Sequence, residues 1–291
     1  MSNRGSGSRP SIFFMKAKEI FDYTLAKLTH PDLGEREAIC RILLEDAHQL
    51  DRSKILLNDE VVINFIELDQ QIIRLNKHEP VQQVVGFTYF NDLQFFVNKH
   101  VLIPRPETSE LLKPIIQWSA NKPVKILDIG TGSGCIPVSL AKALPLADIH
   151  AVDISAQALE IAQKNADFHQ VKINFIHADF LTYDPKELLD LDILVSNPPY
   201  IRELEKQEMD TNVLDYEPHL ALFVPDEEPL LFYKALARFG QKHLKSGGQF
   251  WVEINSYLGK ETMAVFEEHN FKELRLVKDI FEKDRFITGI A

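Results

Sequence analysis

From Pro123 to the end of the chain, short apolar runs alternate with helical stretches, and this alternation leaves few folds open. The runs are 124–129, 149–152, 173–176, 192–196, 249–254, 274–277 and 286–290. Helical periodicity fills most of the gaps, at 133–143, 156–168 and 230–244. The fold class this predicts is α/β: a doubly wound, mostly parallel sheet with helices on both faces. Only residues 278–285 separate the last two runs, too few for a crossover, so these two should pair antiparallel.

Residues 11 to about 77 read as all-helical. Phe14, Ala17, Ile20, Phe21, Leu25 and Leu28 recur at three- and four-residue spacing. Ile39, Ile42, Leu43 and Ala47 repeat the pattern after the breaker at 30–34, and a third stretch runs from Val61 to Ile73. Three helices with short connections predict a small N-terminal bundle. Two apolar runs around Asn91-Asp92, within 86–97, predict a β-hairpin. The expected organisation is a disordered tail at 1–10, a helical domain at 11–80, a linking hairpin and loop at 81–106, and the α/β domain at 107–291.

The formal net charge is -11, and the excess sits in residues 101–291, where 20 Lys and Arg stand against 29 Asp and Glu. Phosphate binding needs a positive footprint, so this balance argues against a polynucleotide as the main partner. The two cysteines, Cys40 and Cys135, have neither metal-ligand nor disulfide spacing. A reducing, cytoplasmic compartment fits them. No apolar run approaches a membrane span, and neither a metal nor a membrane partner is expected.

The first strand run leads through Asp128 and Ile129 into Gly130-Thr131-Gly132-Ser133-Gly134 and then a helix. Glycine permits positive φ and lets a ligand approach the backbone, and the helix start offers free N–H groups. Three ligands compete for such a loop. A Walker loop would end in Gly-Lys-Ser/Thr, but Cys135-Ile136 follows Gly134. A dinucleotide fingerprint would place Gly or Ala where Cys135 stands. The pattern resembles instead motif I of class I S-adenosylmethionine methyltransferases. Asp153 closes the second run, 19 positions after Gly134. A carboxylate there can accept both ribose hydroxyls of an adenosine, as its counterpart does in that superfamily. After the third run, in His177-Ala178-Asp179-Phe180, Phe180 is either core or an apolar face for adenine, and Asp179 would lie near the exocyclic amine. His177 reads as structural or exposed.

Ser196-Asn197-Pro198-Pro199-Tyr200 closes the fourth run. Two prolines cannot continue a ladder, so the chain leaves the sheet at its carboxyl edge, where open α/β sheets place ligands. An amide or aromatic amine nitrogen is a poor nucleophile because its lone pair is delocalised. Acceptors gripping its N–H groups would localise the electrons and fix the angle of attack. The Asn197 side-chain oxygen and the Pro198 carbonyl suit that task, and Tyr200 offers a ring face to the planar group. Asn197, Pro198 and Tyr200 are therefore the catalytic candidates, and with Pro199 they frame the substrate.

Methyltransferases acting on adenine in DNA and on glutamine in proteins share this motif, so the rest of the chain must discriminate. Pro80-Val81-Gln82-Gln83-Val84-Val85-Gly86, Ile103-Pro104-Arg105-Pro106-Glu107-Thr108, Tyr216-Glu217-Pro218-His219, Glu253-Ile254 and Lys283-Asp284-Arg285 stand in order around the two motifs. Together these segments resemble the release factor glutamine methyltransferases, the PrmC or HemK family. The resemblance implies a class I methyltransferase fold with a helical N-terminal domain that docks the substrate. It implies S-adenosylmethionine as cofactor, with S-adenosylhomocysteine as product. Gly130, Thr131, Gly132, Ser133, Gly134, Asp153, Phe180 and Asn197 would hold it.

The implied reaction is N5-methylation of the glutamine in the Gly-Gly-Gln loop of peptide chain release factors. The implied enzyme is a monomer with a protein substrate and no stable nucleic-acid complex. The segment 103–108 would wall the pocket, and Arg105 and Glu107 stand close enough in sequence to pair. Two departures from the family pattern, at 224–229 and at Asn255 where relatives often carry glycine, lie in loops and should bear on partner fit. The alternatives are an adenine N6-methyltransferase on DNA or RNA, and a nucleotide-binding module without catalysis. The intact Asn-Pro-Pro-Tyr argues against the latter.

Overall fold

The computed structural model describes residues 12–291, so the tail expected at 1–10 lies outside the described residues. The chain divides into two units: residues up to Gly86 together with Thr211–Tyr216, and Phe87–Asp210 together with Glu217–Ala291.

The first unit contains more than helices. β1 (Ile12–Lys16) pairs antiparallel with β2 (Glu60–Asn64), where the periodicity predicts only helix. The cause is local. Val61, Val62 and Ile63 form a β-branched run that favours extended backbone. Asn64 then caps the next helix by accepting from the Glu67 amide at 3.4 Å. Helices α1 (Ala17–Lys27), α2 (Leu33–Ile42), α3 (Arg52–Leu57), α4 (Phe65–Leu75) and α5 (Val81–Val85) enclose a core containing Ile20, Leu43, Leu44, Leu68, Ile72 and Val84. Asp32 and Asp51 cap α2 and α3. Tyr216 fastens its distant segment to this unit: its hydroxyl donates to the Lys77 carbonyl at 2.7 Å, and its carbonyl accepts from Gln83 at 3.0 Å.

The second unit begins with the expected hairpin, β3 (Phe87–Phe90) and β4 (Leu93–Phe96), joined through Asn91 and Asp92 at positive φ. Then follow α6 (Leu112–Ser119), β5 (Lys125–Ile129), α7 (Cys135–Ala143), β6 (Asp148–Asp153), α8 (Ala156–Phe168), β7 (Asn174–His177) and β8 (Leu191–Ser196). β9 (Ile201–Arg202) pairs parallel with β10 (Phe223–Val224), and α9 (Thr211–Tyr216) between them is the segment that belongs to the first unit. The chain ends with α10 (Leu231–His243), β11 (Leu244–Glu253), α11 (Gly259–Glu268), β12 (Lys272–Lys278) and β13 (Asp284–Ile290).

Seven strands form one sheet in the order β12-β13-β11-β8-β5-β6-β7. Of these seven strands, β13 alone runs antiparallel to the rest. Every residue of β8 is buried, as a central parallel strand requires. Burying each Val, Ile or Leu there contributes about 1.5–3 kcal/mol. From β5 the order runs to β6 and β7 on one side and to β8 and β11 on the other, so the switch point lies between β5 and β8. There Ile129 stands opposite Ser196, whose hydroxyl donates to the Ile129 carbonyl at 2.7 Å. The glycine-rich loop and the Asn-Pro-Pro-Tyr turn thus leave adjacent strand ends.

Candidate active site

The cofactor side is a matter of backbone. Gly130, Gly132 and Gly134 turn the chain at φ of 72°, 54° and 77°. A Cβ on Gly134 would lie 3.0 Å from that of Ala162, so α8 packs against the loop where only glycine fits. A Cβ on Gly130 would lie 4.0 Å from the Asn197 carbonyl oxygen, which measures how closely the two turns approach. Asp153 spans the loop: its Oδ2 accepts from the Gly132 N–H and its Oδ1 from the Ser155 N–H, both at 2.8 Å. An ionised carboxylate has about four acceptor positions, so capacity for further donors remains. Burial raises this carboxyl, while the Ser155, Gly132 and Ile154 amides and His177 pull it down. Behind the loop Asp128 is fully buried, and among the described residues neither of its oxygens has a hydrogen-bond partner. Burial pushes it up to about 7; the nearby Thr131 hydroxyl, itself without a hydrogen-bond partner among the described residues, opposes the shift and Asp153 adds to it.

The acceptor side is a matter of side chains. Thr108 donates its hydroxyl proton to Glu253 Oε2 at 2.6 Å, and Asn197 Nδ2 donates to Thr108 Oγ1 at 3.2 Å. The Tyr200 phenol donates to Glu253 Oε1 at 3.0 Å. Burial raises the Glu253 carboxyl; Thr108, Tyr200 and Arg285 lower it, and Glu107 adds to the rise. Burial, then Glu253, drive the Tyr200 phenol far above its ordinary range, so it remains a donor. The Tyr200 carbonyl accepts from Asn255 at 3.1 Å.

A cavity of 280 Å³ opens between the two sides, bordered by Gly130, Gly132, Asp153 and Phe180 on one and by Asn197, Pro198 and Pro199 on the other. Its wall is mainly apolar, with Ile154, Phe180 and Leu236 available to a flat ring and the Asp153 carboxylate to a diol. An adenosine fits that donor and acceptor set.

A family model for the Methyltransferase small domain matches residues 107–215, and one for the PrmC N-terminal domain matches 19–86. The release factor glutamine methyltransferase of Flavobacterium psychrophilum is 48% identical over 264 residues, covering 88% of this chain and 92% of the relative. That of Bacteroides thetaiotaomicron is 42% identical over 258 residues, with coverage of 88% and 92%. The chain belongs to the release factor glutamine methyltransferase family. A solved T. thermophilus 16S rRNA N2 G1207 methyltransferase, in complex with AdoMet and guanosine, shares the fold at a TM-score of 0.50 and 18% identity. That match covers 70% of this chain and 49% of the solved one.

In this member of the family, Gly130, Gly132, Asp153, Phe180, Asn197, Pro198 and Pro199 border the cavity. Thr131, Ser133, Gly134 and Tyr200 do not. Thr131 and Ser133 are buried, and the Ser133 carbonyl accepts from Asn165 at 2.8 Å. Phe180 packs on Phe239 with ring centres 5.4 Å apart, so it is core and cavity wall at once. His177 is exposed and meets the Ile154 carbonyl at 2.8 Å.

Three expectations change. The wall is formed by His100, Val101 and Leu102, not by 103–108, whose Ile103 N–H donates to Glu217 at 3.0 Å and whose Thr108 bonds Asn197 from outside the cavity. Arg105 pairs with the nearly buried Glu217 at 2.7 Å, not with Glu107. Asn255 is 4% exposed and holds the motif backbone, so its loop does not present it to a partner. Sequence reasoning missed Thr108 and Glu253 as contacts of Asn197 and Tyr200. The one available signal was that both lie in segments of the family resemblance.

Proposed function

We propose that this chain transfers a methyl group from S-adenosylmethionine to the side-chain amide nitrogen of the glutamine in the Gly-Gly-Gln loop of peptide chain release factors. The observation that carries this reading is the Asn197 carboxamide. It borders the cavity beside the glycine-rich loop, and its Oδ1 accepts no hydrogen bond among the described residues. An acceptor in that place suits a substrate that is itself a carboxamide. S-adenosylmethionine, when bound, supplies an electrophilic methyl group on a sulfonium.

Asp153 would take the ribose hydroxyls, Phe180 would face the adenine, and the Gly130 and Gly132 backbone would lie against the rest of the cofactor. Asn197 Oδ1 and the Pro198 carbonyl would each accept an N–H of the glutamine amide. This turns the nitrogen lone pair toward the donor and replaces solvent reorganisation with fixed dipoles. The amide proton leaves after transfer, so no strong base is required beside the nitrogen. Among the described residues no helix is long and apolar enough to cross a membrane, and the net charge of -11 suits a protein substrate better than a polynucleotide.

The test is mass spectrometry of a purified release factor before and after incubation with enzyme and cofactor. One methyl group should appear on the glutamine peptide and be absent from the Gln-to-Ala substrate. Methyl incorporation into adenine of DNA or RNA, with none into the release factor, would overturn the proposal.

A further inference from the structure

We infer that Thr108 and Glu253 are positioning residues that set which way round the Asn197 amide stands; this rests on the glutamine-methylating reading above. An asparagine side chain can be turned over, exchanging its oxygen and nitrogen, and only one orientation offers the cavity an acceptor. The other would present N–H groups to a glutamine N–H and repel it.

The choice is made outside the cavity by proton counting. Both oxygens of Glu253 accept, as those of a carboxylate do. Its Oε1 is taken by the Tyr200 phenol at 3.0 Å and its Oε2 by Thr108 at 2.6 Å. Thr108 has one hydroxyl proton, and Glu253 receives it. The atom of Asn197 that meets Thr108 Oγ1 at 3.2 Å must therefore be a donor, namely Nδ2, and Oδ1 is left to the cavity. Thr108 and Glu253 are 2% and 1% exposed, so water does not compete for these bonds. Neither residue borders the cavity. Thr108 acts through Asn197, and Glu253 acts through Thr108 while also holding the Tyr200 phenol.

The same relay explains why three segments far apart in sequence belong together. Thr108 lies 89 positions from Asn197 and 145 from Glu253. Thr108→Val keeps the shape and removes both the acceptor and the donor. Thr108→Ser keeps both.

The experiment is a double-mutant cycle on methyl transfer to a release factor, with cofactor affinity measured separately by calorimetry. Thr108→Val should lower kcat by about 10- to 100-fold with cofactor Kd changed less than about 2-fold, and Thr108→Ser should retain most of the rate. In an Asn197→Ala background, Thr108→Val should cost less than about 2-fold further, because nothing remains for it to orient. Glu253→Gln, which can give a proton to Thr108 and so reverse the relay, should lower kcat as well, with a further loss through its bond to Tyr200.

A kcat for Thr108→Val equal to the parent's would overturn the inference while leaving the glutamine reaction standing. So would losses that multiply fully in the double variant, or a Thr108→Ser variant as slow as Thr108→Val. A parent enzyme that left the glutamine unmodified would remove the reading beneath it as well.

Discussion

The two walls of the cavity are built by different means. The cofactor side spans Asp128 to Ser155 and is shaped by backbone: three glycines at positive φ and a carboxylate held by two main-chain amides. The acceptor side joins Thr108, the Asn197–Tyr200 turn and Glu253, three separate stretches, through side-chain hydrogen bonds. Each side buries a carboxyl, and the two differ sharply. Glu253 receives two hydroxyls and has Arg285 nearby, whereas among the described residues neither oxygen of Asp128 has a hydrogen-bond partner. A local backbone turn can tolerate an unpartnered acid behind it. A side-chain relay cannot, because each member fixes the next.

The largest effect that could break this contrast is on stability. Asp128 is raised to about 7, against about 3.9 for a free Asp in the unfolded chain. The folded state therefore keeps a proton that the unfolded state loses. The stabilisation is fully present below about pH 4 and is lost as pH rises through 7, by about 4 kcal/mol at most. Denaturant midpoints at pH 4.5 and 7.5 should show the parent losing more stability than Asp128→Asn over this interval. Equal losses would mean that Asp128 is not the isolated acid the contrast requires.

On the acceptor side, Asn197→Ala should lower kcat by about 100-fold or more with cofactor affinity nearly unchanged and the fold intact. Steady-state kinetics and a circular dichroism spectrum check this. A variant of undiminished rate would remove the side-chain account of that wall.

On the cofactor side, Gly134→Ala should cost about 1–3 kcal/mol in thermal or chemical unfolding, because it adds left-handed strain to a 3.0 Å contact with Ala162. Gly247→Ala is the sharpening control. Its φ of 79° is similar, but nothing lies within 4 Å of the added Cβ, so it should cost less.

The smallest effect expected is on binding. Asp153→Ala should weaken cofactor affinity by about 10-fold while sparing kcat at saturation, as calorimetry and kinetics would show together. A loss confined to kcat would place Asp153 on the wrong side of the comparison.

The same division governs what the sequence could reveal. The sheet was legible because buried parallel strands write themselves as apolar runs, and so was the cofactor loop, whose glycines and Asp153 lie within 24 positions of one another. The Asn-Pro-Pro-Tyr turn was legible because two prolines must leave a strand. The relay was not. No local pattern marks Thr108 or Glu253, since their partners are set by which strand ends the topology brings together. The antiparallel pair β1–β2 was missed for a related reason: Val61 to Ile63 satisfy helical spacing as well as strand propensity, and tertiary pairing decides. The sequence leaves the partner of Arg105 open between Glu107 and others, because nothing local points to Glu217, 112 positions away.

The most direct test of the central claim is a crystal structure with S-adenosylhomocysteine and a Gly-Gly-Gln peptide bound together. The account predicts the ribose on Asp153 and the glutamine amide nitrogen within hydrogen-bonding distance of Asn197 Oδ1, facing the cofactor sulfur. A glutamine seated away from Asn197, or an Asn197 amide turned with its nitrogen toward the peptide, would contradict it.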